Sequence, residues 1–184
     1  MENRSDVRVT KFEAVGALVC GAAAVFMHGL YQWTGGAIWA GLISAANESL
    51  WEHGKVLMVP YLLWAFMEFL VLKQPVKKFT VAKTAGLIVM LAGMIAFYYL
   101  YTGIIGRSVP VVDLLCIFIW MAVGQIVSRK LLSSYRRVES WFTLCVFLLI
   151  LLAVMFISFT VNPPHIPLFQ DPVTGRYGFL SSPA

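Results

Sequence analysis

Five largely apolar blocks, each longer than twenty residues, constrain this chain more than any other feature of its sequence. An α-helix of about 20 apolar residues can cross the roughly 30 Å of hydrocarbon in a bilayer. With 60% hydrophobic and 12% charged residues, the chain also lacks the charge that a water-facing surface requires. The blocks therefore predict an all-α, polytopic transmembrane helix bundle, a single domain over 1–184, with spans at about 12–33, 49–72, 80–105, 109–132 and 138–161.

The segments outside these blocks are short, except at the C-terminus. The first block is too long for a signal peptide and lacks a small-residue cleavage site, which indicates a retained helix. The amphiphilic stretch 37–46 fits either a re-entrant or an interfacial segment. The tail, 162–184, places Phe169, Tyr177 and Phe179 between prolines, which favours an ordered, irregular cap folded back over the helix ends. The alternative is a tail on the membrane surface with interfacial aromatic side chains.

Lysine and arginine residues indicate the orientation of the bundle. Because basic residues accumulate in cytoplasmic loops, their distribution predicts that the N-terminus lies in the cytoplasm and the tail outside. The net charge of +5 then needs no nucleic-acid partner, since the basic clusters lack interleaved aromatic residues. Five spans put eleven basic residues on the inner side (Arg4, Arg8, Lys11, Lys73, Lys77, Lys78, Lys83, Arg129, Lys130, Arg136 and Arg137) and three on the outer side (Lys55, Arg107 and Arg176).

The same topology brings most of the ionisable side chains that are suited to chemistry to the outer face. An ionisable group at membrane depth is costly unless it is paired, so such groups face the bundle interior or a wet cavity. The sequence therefore predicts a polar cluster at the outer ends of the helices, drawn from His28, Glu48, Glu52, His53, Asp113, His165 and Asp171.

His28 belongs to a row of small and polar residues at helical spacing, with Cys20, Ala24 and Gln32. Small residues at i, i+4 spacing mark the face on which helices approach each other. We therefore expect His28 to point into the protein, where a hydrogen bond across helices would explain it as well as a ligand role would.

The densest polar run is the sequence from Asn47 to His53, Asn-Glu-Ser-Leu-Trp-Glu-His. Helix capping by Asn47, with carboxylates near the positive end of the helix and Lys55 as their counter-charge, explains part of this run. It does not explain His53. The pattern Ser49-x-x-Glu52-His53 is one histidine short of the HxxEH zinc arrangement, so a metal site here would need ligands from separate helices.

Two other polar residues, Asp113 and Glu68, have simpler explanations. Asp113, close after Pro110, suits the first turn of a helix. Glu68 lies near the inner end of the second span, where it can extend toward the interface beside Lys73. Gln125 is the clearest polar residue at mid-depth, so the inner half of the bundle shows no obvious charge relay.

Two motifs resemble those of a family of small uncharacterised bacterial integral membrane proteins. One is Asn47-Glu48-Ser49-x-Trp51-Glu52-His53. The other is Pro163-Pro164-His165-x-Pro167-x-Phe169-x-Asp171-Pro172. The resemblance covers nearly the whole chain and implies a multi-pass protein of the bacterial cytoplasmic membrane, without implying an activity.

A weaker similarity is to the seven-helix hydrolases that include alkaline ceramidases and adiponectin receptors. Those proteins hold zinc with three histidines near one membrane face, beside a serine and an aspartate. This chain departs from them in having five predicted spans and no HxxxH pair in its last helix. The similarity implies only that such chemistry is feasible in a helix bundle.

The sharpest functional hypothesis is a metal site of the zinc type, with ligands from His28, His53, His165, Asp113 and Asp171. An open ligand position would activate water for hydrolysis at the lipid interface, with Glu48 or Glu52 as general base and Ser49 as a further catalytic candidate. The alternatives are a proton- or solute-coupled transporter or channel subunit, a non-catalytic membrane scaffold, and haem ligation by the histidines.

Orientation can be measured with cysteines introduced at Thr174 and at Gln74. We expect a membrane-impermeant maleimide to label T174C in intact spheroplasts and Q74C only after permeabilisation, because the charge distribution places these residues on opposite sides. The wild-type chain, whose three cysteines lie inside apolar blocks, gives the background. Labelling of Q74C without permeabilisation would show that the orientation is opposite to the predicted one.

Overall fold

The computed structural model describes residues 4–134 and 137–179. Arg136, counted above among the basic residues, and residues 180–184 of the tail lie outside the described residues. The described chain is helical apart from short connections and the tail, where Gln170 and Tyr177 form one antiparallel bridge.

Six α-helices account for most of the described chain. Each of the five apolar blocks forms one long helix, as predicted, and these five are long and apolar enough to cross a membrane. The helices are α1 (Arg4–Trp33), α2 (Ile38–Ile43), α3 (Leu50–Leu72), α4 (Val76–Ile105), α5 (Pro110–Leu132) and α6 (Phe142–Val161), with 3₁₀ turns at Glu139–Trp141 and Pro167–Phe169.

Two helices begin before their apolar blocks. Helix α1 starts at Arg4 where the sequence predicted a span from 12, and α4 starts at Val76 where it predicted 80. Hydropathy marks only the part of a helix that suits hydrocarbon, whereas backbone hydrogen bonding continues into the polar residues that precede it.

The long helices pack around a buried core at mid-length. Helix α4 lies along α5, α1 packs against α3 and α5, and α6 covers α4. Leu57, Tyr61, Leu87, Met90 and Met121 are fully buried at the centre. The outward faces carry large exposed apolar side chains, among them Leu18, Phe66, Ile104 and Phe147, which suit contact with lipid.

Stretch 37–46 contains the short helix α2, which lies at the end of the bundle where the tail also lies. Its buried face, Ala40 and Gly41, packs against Tyr31 and Phe179, while Trp39 is exposed. The stretch is therefore held against the bundle rather than standing apart from it.

The described part of the tail folds back over the same end, as the sequence predicted. The Asn47 side-chain amide donates to the Gly178 carbonyl at 2.7 Å, and the Glu48 backbone N–H donates to the Asp171 carboxylate at 3.3 Å. Phe169 stacks against Trp51 with ring centroids 4.9 Å apart. We call this end of the bundle the tail end.

Gly86 and Gly124 set the closest approach of α4 to α5. A Cβ on Gly86 would lie 2.4 Å from the Gly124 carbonyl oxygen and 2.3 Å from the Tyr61 hydroxyl, and the backbone atom cannot move aside. Small residues allow this kind of contact between membrane helices.

Gly86→Ala is therefore expected to lower the free energy of unfolding by about 1–3 kcal/mol, because the added methyl group overpacks the α4–α5 contact. Gly103→Ala is the matched control in the same helix. A Cβ there meets nothing within 4 Å, so we expect no loss of stability. Denaturant unfolding in detergent micelles measures both, and equal stabilities of the two variants would contradict the close contact.

Candidate metal centre

A capped turn at the start of α3 positions two of the candidate ligands. The Asn47 side-chain oxygen accepts the Ser49 backbone N–H at 2.8 Å, and the Ser49 hydroxyl accepts the Glu52 N–H at 3.4 Å as the N-cap. The cap is thus Ser49, where the sequence suggested Asn47. The turn holds Glu48 just before the helix and His53 one turn inside it.

His53 is fixed in one tautomer by the backbone. Its Nδ1 lies 2.8 Å from the Ser49 carbonyl oxygen, which can only accept, so Nδ1 carries the hydrogen. In the neutral ring Nε2 then has a free lone pair. A backbone carbonyl bound to the distal ring nitrogen is the arrangement that orients histidine ligands of metals.

Three ligand atoms converge where α1 meets the start of α3. His28 Nε2 lies 2.9 Å from His53 Nε2 and 3.3 Å from Glu48 Oε2, and the third side of the triangle, His53 to Glu48, is 3.8 Å. With metal–ligand bonds of about 2.0–2.1 Å, neighbouring ligands of tetrahedral zinc are about 3.3 Å apart. The three distances bracket this value, so these side chains could hold one metal ion.

Glu48 carries the negative charge of the group. The contact with His28 lowers the pKa of its carboxyl group, and this effect outweighs partial burial, which would raise the pKa. Glu48 is therefore ionised at neutral pH, as a ligand must be. Its backbone is held in place by Asp171.

The group faces a cavity of about 560 Å³ between α1, α3, α4, α5 and the tail. This volume lies in the range of small-molecule sites. His28, Glu48 and His53 occupy one part of the wall, and the rest is mainly apolar and aromatic, including Met94, Phe97, Tyr98 and Ile117.

Asp113 lines the same cavity from α5 but does not belong to the three-ligand group. The Tyr101 hydroxyl of α4 donates a hydrogen bond to its carboxylate and accepts one from the Val109 backbone N–H. Asp113 is thus a partly buried carboxylate oriented by a tyrosine in the cavity wall.

Glu52 and Ser49 do not face the cavity. The Glu52 carboxylate accepts hydrogen bonds from Lys55 at 2.6 Å, from the Thr160 hydroxyl at 2.9 Å and from the Ala46 N–H at 2.8 Å. Both Glu52 oxygens are occupied, and both residues are almost completely buried. In this arrangement Glu52 binds α3 to α6, and Ser49 caps α3.

His165 and Asp171 lie in the tail but are not brought to the imidazoles. The exposed His165 ring stacks on Tyr177 with centroids 4.6 Å apart. Asp171 is fully buried and accepts the N–H groups of Glu48, Val173 and Thr174, which makes it the organiser of the tail turn.

A second polar cluster, far from the tail end, was not predicted. Lys83 Nζ lies 2.9 Å from a Glu13 carboxylate oxygen and 2.5 Å from one of Glu68, and all three side chains are buried. The interpretation that Glu68 extends toward the interface beside Lys73 is wrong, because burial and Lys83 hold it inside the bundle. The half of the bundle opposite the tail end also contains charges, contrary to expectation. The sequence could have indicated this cluster, because Glu13, Glu68 and Lys83 all lie inside predicted spans, where a charged residue needs a partner.

The fold and the site together define a helical bundle with five helices that could span a membrane and a histidine–carboxylate cluster at one end. The chain belongs to a family of unknown function, DUF6512, whose model matches residues 1–179. None of the curated proteins and none of the solved structures matches the chain.

Proposed function

We propose that His28, Glu48 and His53 bind a divalent transition-metal ion, with zinc the best fit, and that the protein is a membrane hydrolase. The observation that carries this proposal is the convergence of three ligand atoms at tetrahedral spacing, with His53 fixed in the tautomer that exposes its Nε2 lone pair. Among the described residues, no other group of three His, Cys, Asp or Glu side chains meets this closely.

The ligand set favours a catalytic over a purely structural metal. Two histidines and one carboxylate are the protein ligands of catalytic zinc in several metallopeptidases, where the fourth position stays open. Non-haem iron(II) uses the same set, so the bound element has to be measured. A bound ion of this kind supplies a Lewis acid and water of lowered pKa.

The cavity indicates the class of substrate. Its mainly apolar and aromatic wall suits an acyl or other hydrocarbon chain, while the ligand group and Asp113 supply the polar part. An amphiphile with an ester or amide bond beside an apolar chain fits this division. Sited at one end of the bundle, the cavity would take such a molecule from the lipid interface.

Asp113 is the best-placed general base in this site. The Glu52 carboxylate is occupied by Lys55 and Thr160, and Glu48 belongs to the metal ligand set. Asp113 lines the same cavity as Glu48 and is not a member of that set. Tyr101 holds the Asp113 carboxylate, so that it can take a proton from an attacking water molecule in a defined position.

We propose that the protein lies in the bacterial cytoplasmic membrane, as the resemblance of its two motifs implies. The metal centre and tail would lie on the outer face, because the basic residues accumulate at the opposite end.

The metal site is tested by elemental analysis of the purified protein. We expect one zinc per chain in the wild type and in His165→Ala, and a loss of at least tenfold in zinc content in His28→Ala, His53→Ala and Glu48→Gln. His165→Ala is the matched control, since its ring lies outside the ligand group. Zinc-free wild-type protein after reconstitution with zinc, or loss of zinc only in His165→Ala, would eliminate the proposed centre.

The hydrolase assignment is tested with a fluorogenic long-chain acyl ester and the matching amide. Asp113→Asn keeps the acceptor for Tyr101 but removes the base, so we expect unchanged zinc content, a kcat lower by roughly 10²–10⁴-fold and little change in KM. If the zinc-loaded wild type turns over neither probe, the proposal that the protein hydrolyses acyl esters and amides is wrong. The proposed metal site would not be affected by that result.

A further inference from the structure

The Glu13–Lys83–Glu68 cluster joins three helices in the half of the bundle opposite the tail end. Lys83 from α4 contacts Glu13 from α1 and Glu68 from α3, and its ammonium group donates to the Gln125 side-chain oxygen of α5 at 3.2 Å. Ser128 donates to the same Glu13 oxygen at 2.7 Å. All of these side chains are buried.

The charges in this cluster do not balance. Two carboxylates share one ammonium group, which also donates to the Gln125 side-chain oxygen. With all three groups ionised, the cluster would hold one uncompensated negative charge inside the bundle. An unpaired buried charge costs several kcal/mol, so the group neutralises instead.

Unused polar atoms in the cluster leave room for one more hydrogen. Glu13 Oε2 and both carboxylate oxygens of Glu68 are buried without a hydrogen-bond partner, although Glu68 Oε2 forms the ion pair with Lys83, and the nearby Gln125 Nε2 is also without one. These oxygens belong to fully or nearly fully buried side chains that are directed into the cluster. A proton on either carboxyl group would remove the excess charge.

No other described group around the cluster supplies the missing positive charge. The titratable neighbours are Tyr61 of α3, whose hydroxyl bonds to the Lys83 carbonyl oxygen at 3.2 Å, and Cys20 of α1, whose thiol bonds to the Pro60 carbonyl oxygen at 3.4 Å. Both are neutral in their ordinary forms. From α5 the neighbours are Gln125 and Ser128, which carry no charge.

We propose that Glu13, Glu68 and Lys83 form a membrane-embedded proton-binding site, which holds one proton on the carboxyl pair beside the charged lysine. The site is separate from the candidate metal centre, because the buried core around Leu57, Met90 and Met121 lies between the two ends of the bundle. It requires no covalent chemistry, only transfer of a proton from water to a carboxylate oxygen.

Infrared spectroscopy of the protein in dodecyl maltoside micelles, a detergent without ester carbonyl groups, tests this proposal at neutral pH, because a protonated carboxyl group has a C=O stretch that a carboxylate lacks. We expect this band in the wild type and its loss in Glu13→Gln and in Glu68→Gln, each of which leaves one carboxylate paired with Lys83. In Lys83→Met both carboxyl groups become protonated, and the band rises about twofold. Glu48→Gln, at the metal centre, leaves it unchanged.

The two glutamine variants keep the size and shape of the side chain, so the test does not depend on Lys83→Met folding. A wild type without the band, or a band that persists in both glutamine variants, would overturn the proposal. So would a band that appears in choline buffer but not in sodium or potassium buffer, since the compensating ion would then be a metal cation. None of these results depends on zinc binding at the tail end.

Discussion

Lipid offers no hydrogen-bond acceptor to a buried ammonium group, and the two buried lysines of this chain show how the bundle meets that constraint. Lys55 donates to Glu52, to the Gly41 carbonyl and to Thr160, which connects α3 with α2 and α6. Lys83 connects α4 with α1, α3 and α5. Between them the two side chains contact every helix of the bundle. The helices are therefore held together at two levels by groups that cannot be exposed to lipid, with an apolar core in between.

The contacts of Lys55 and Glu52 support the candidate metal centre, although neither side chain belongs to the ligand group. Glu52 anchors the start of α3 through the Ala46 N–H, and the same turn presents Glu48 and His53 toward His28. The carboxylate that the sequence places next to His53 is thus structural, while the one four residues earlier faces the imidazoles. Glu48 lies before the first residue of α3, whereas Glu52 lies inside the helix, so the helical turn fixes the direction of Glu52 alone and the two carboxylates reach different partners.

The sequence predicted the long helices, but it did not predict which side chains contact each other. Block length predicted all five long helices, and helical spacing predicted that His28 faces protein. His28 and His53 were grouped correctly, because both lie near the same ends of neighbouring spans. His165 was grouped with them only because it was expected at the same end of the bundle. That position does not predict that its ring stacks on Tyr177. Glu13 and Lys83 were overlooked as a pair, since Lys83 was counted as a loop charge and a contact across helices leaves no trace in one sequence.

The hydrogen bond between the Glu48 N–H and Asp171 joins residues 123 positions apart. It makes the position of Glu48 in the imidazole–carboxylate triangle depend on a segment that is synthesised well after α1 and α3. While the chain is being synthesised, α1 and α3 can already be inserted, yet the turn that carries Glu48 still lacks its support. The order of synthesis therefore separates the formation of α1 and α3 from the completion of the turn that carries Glu48.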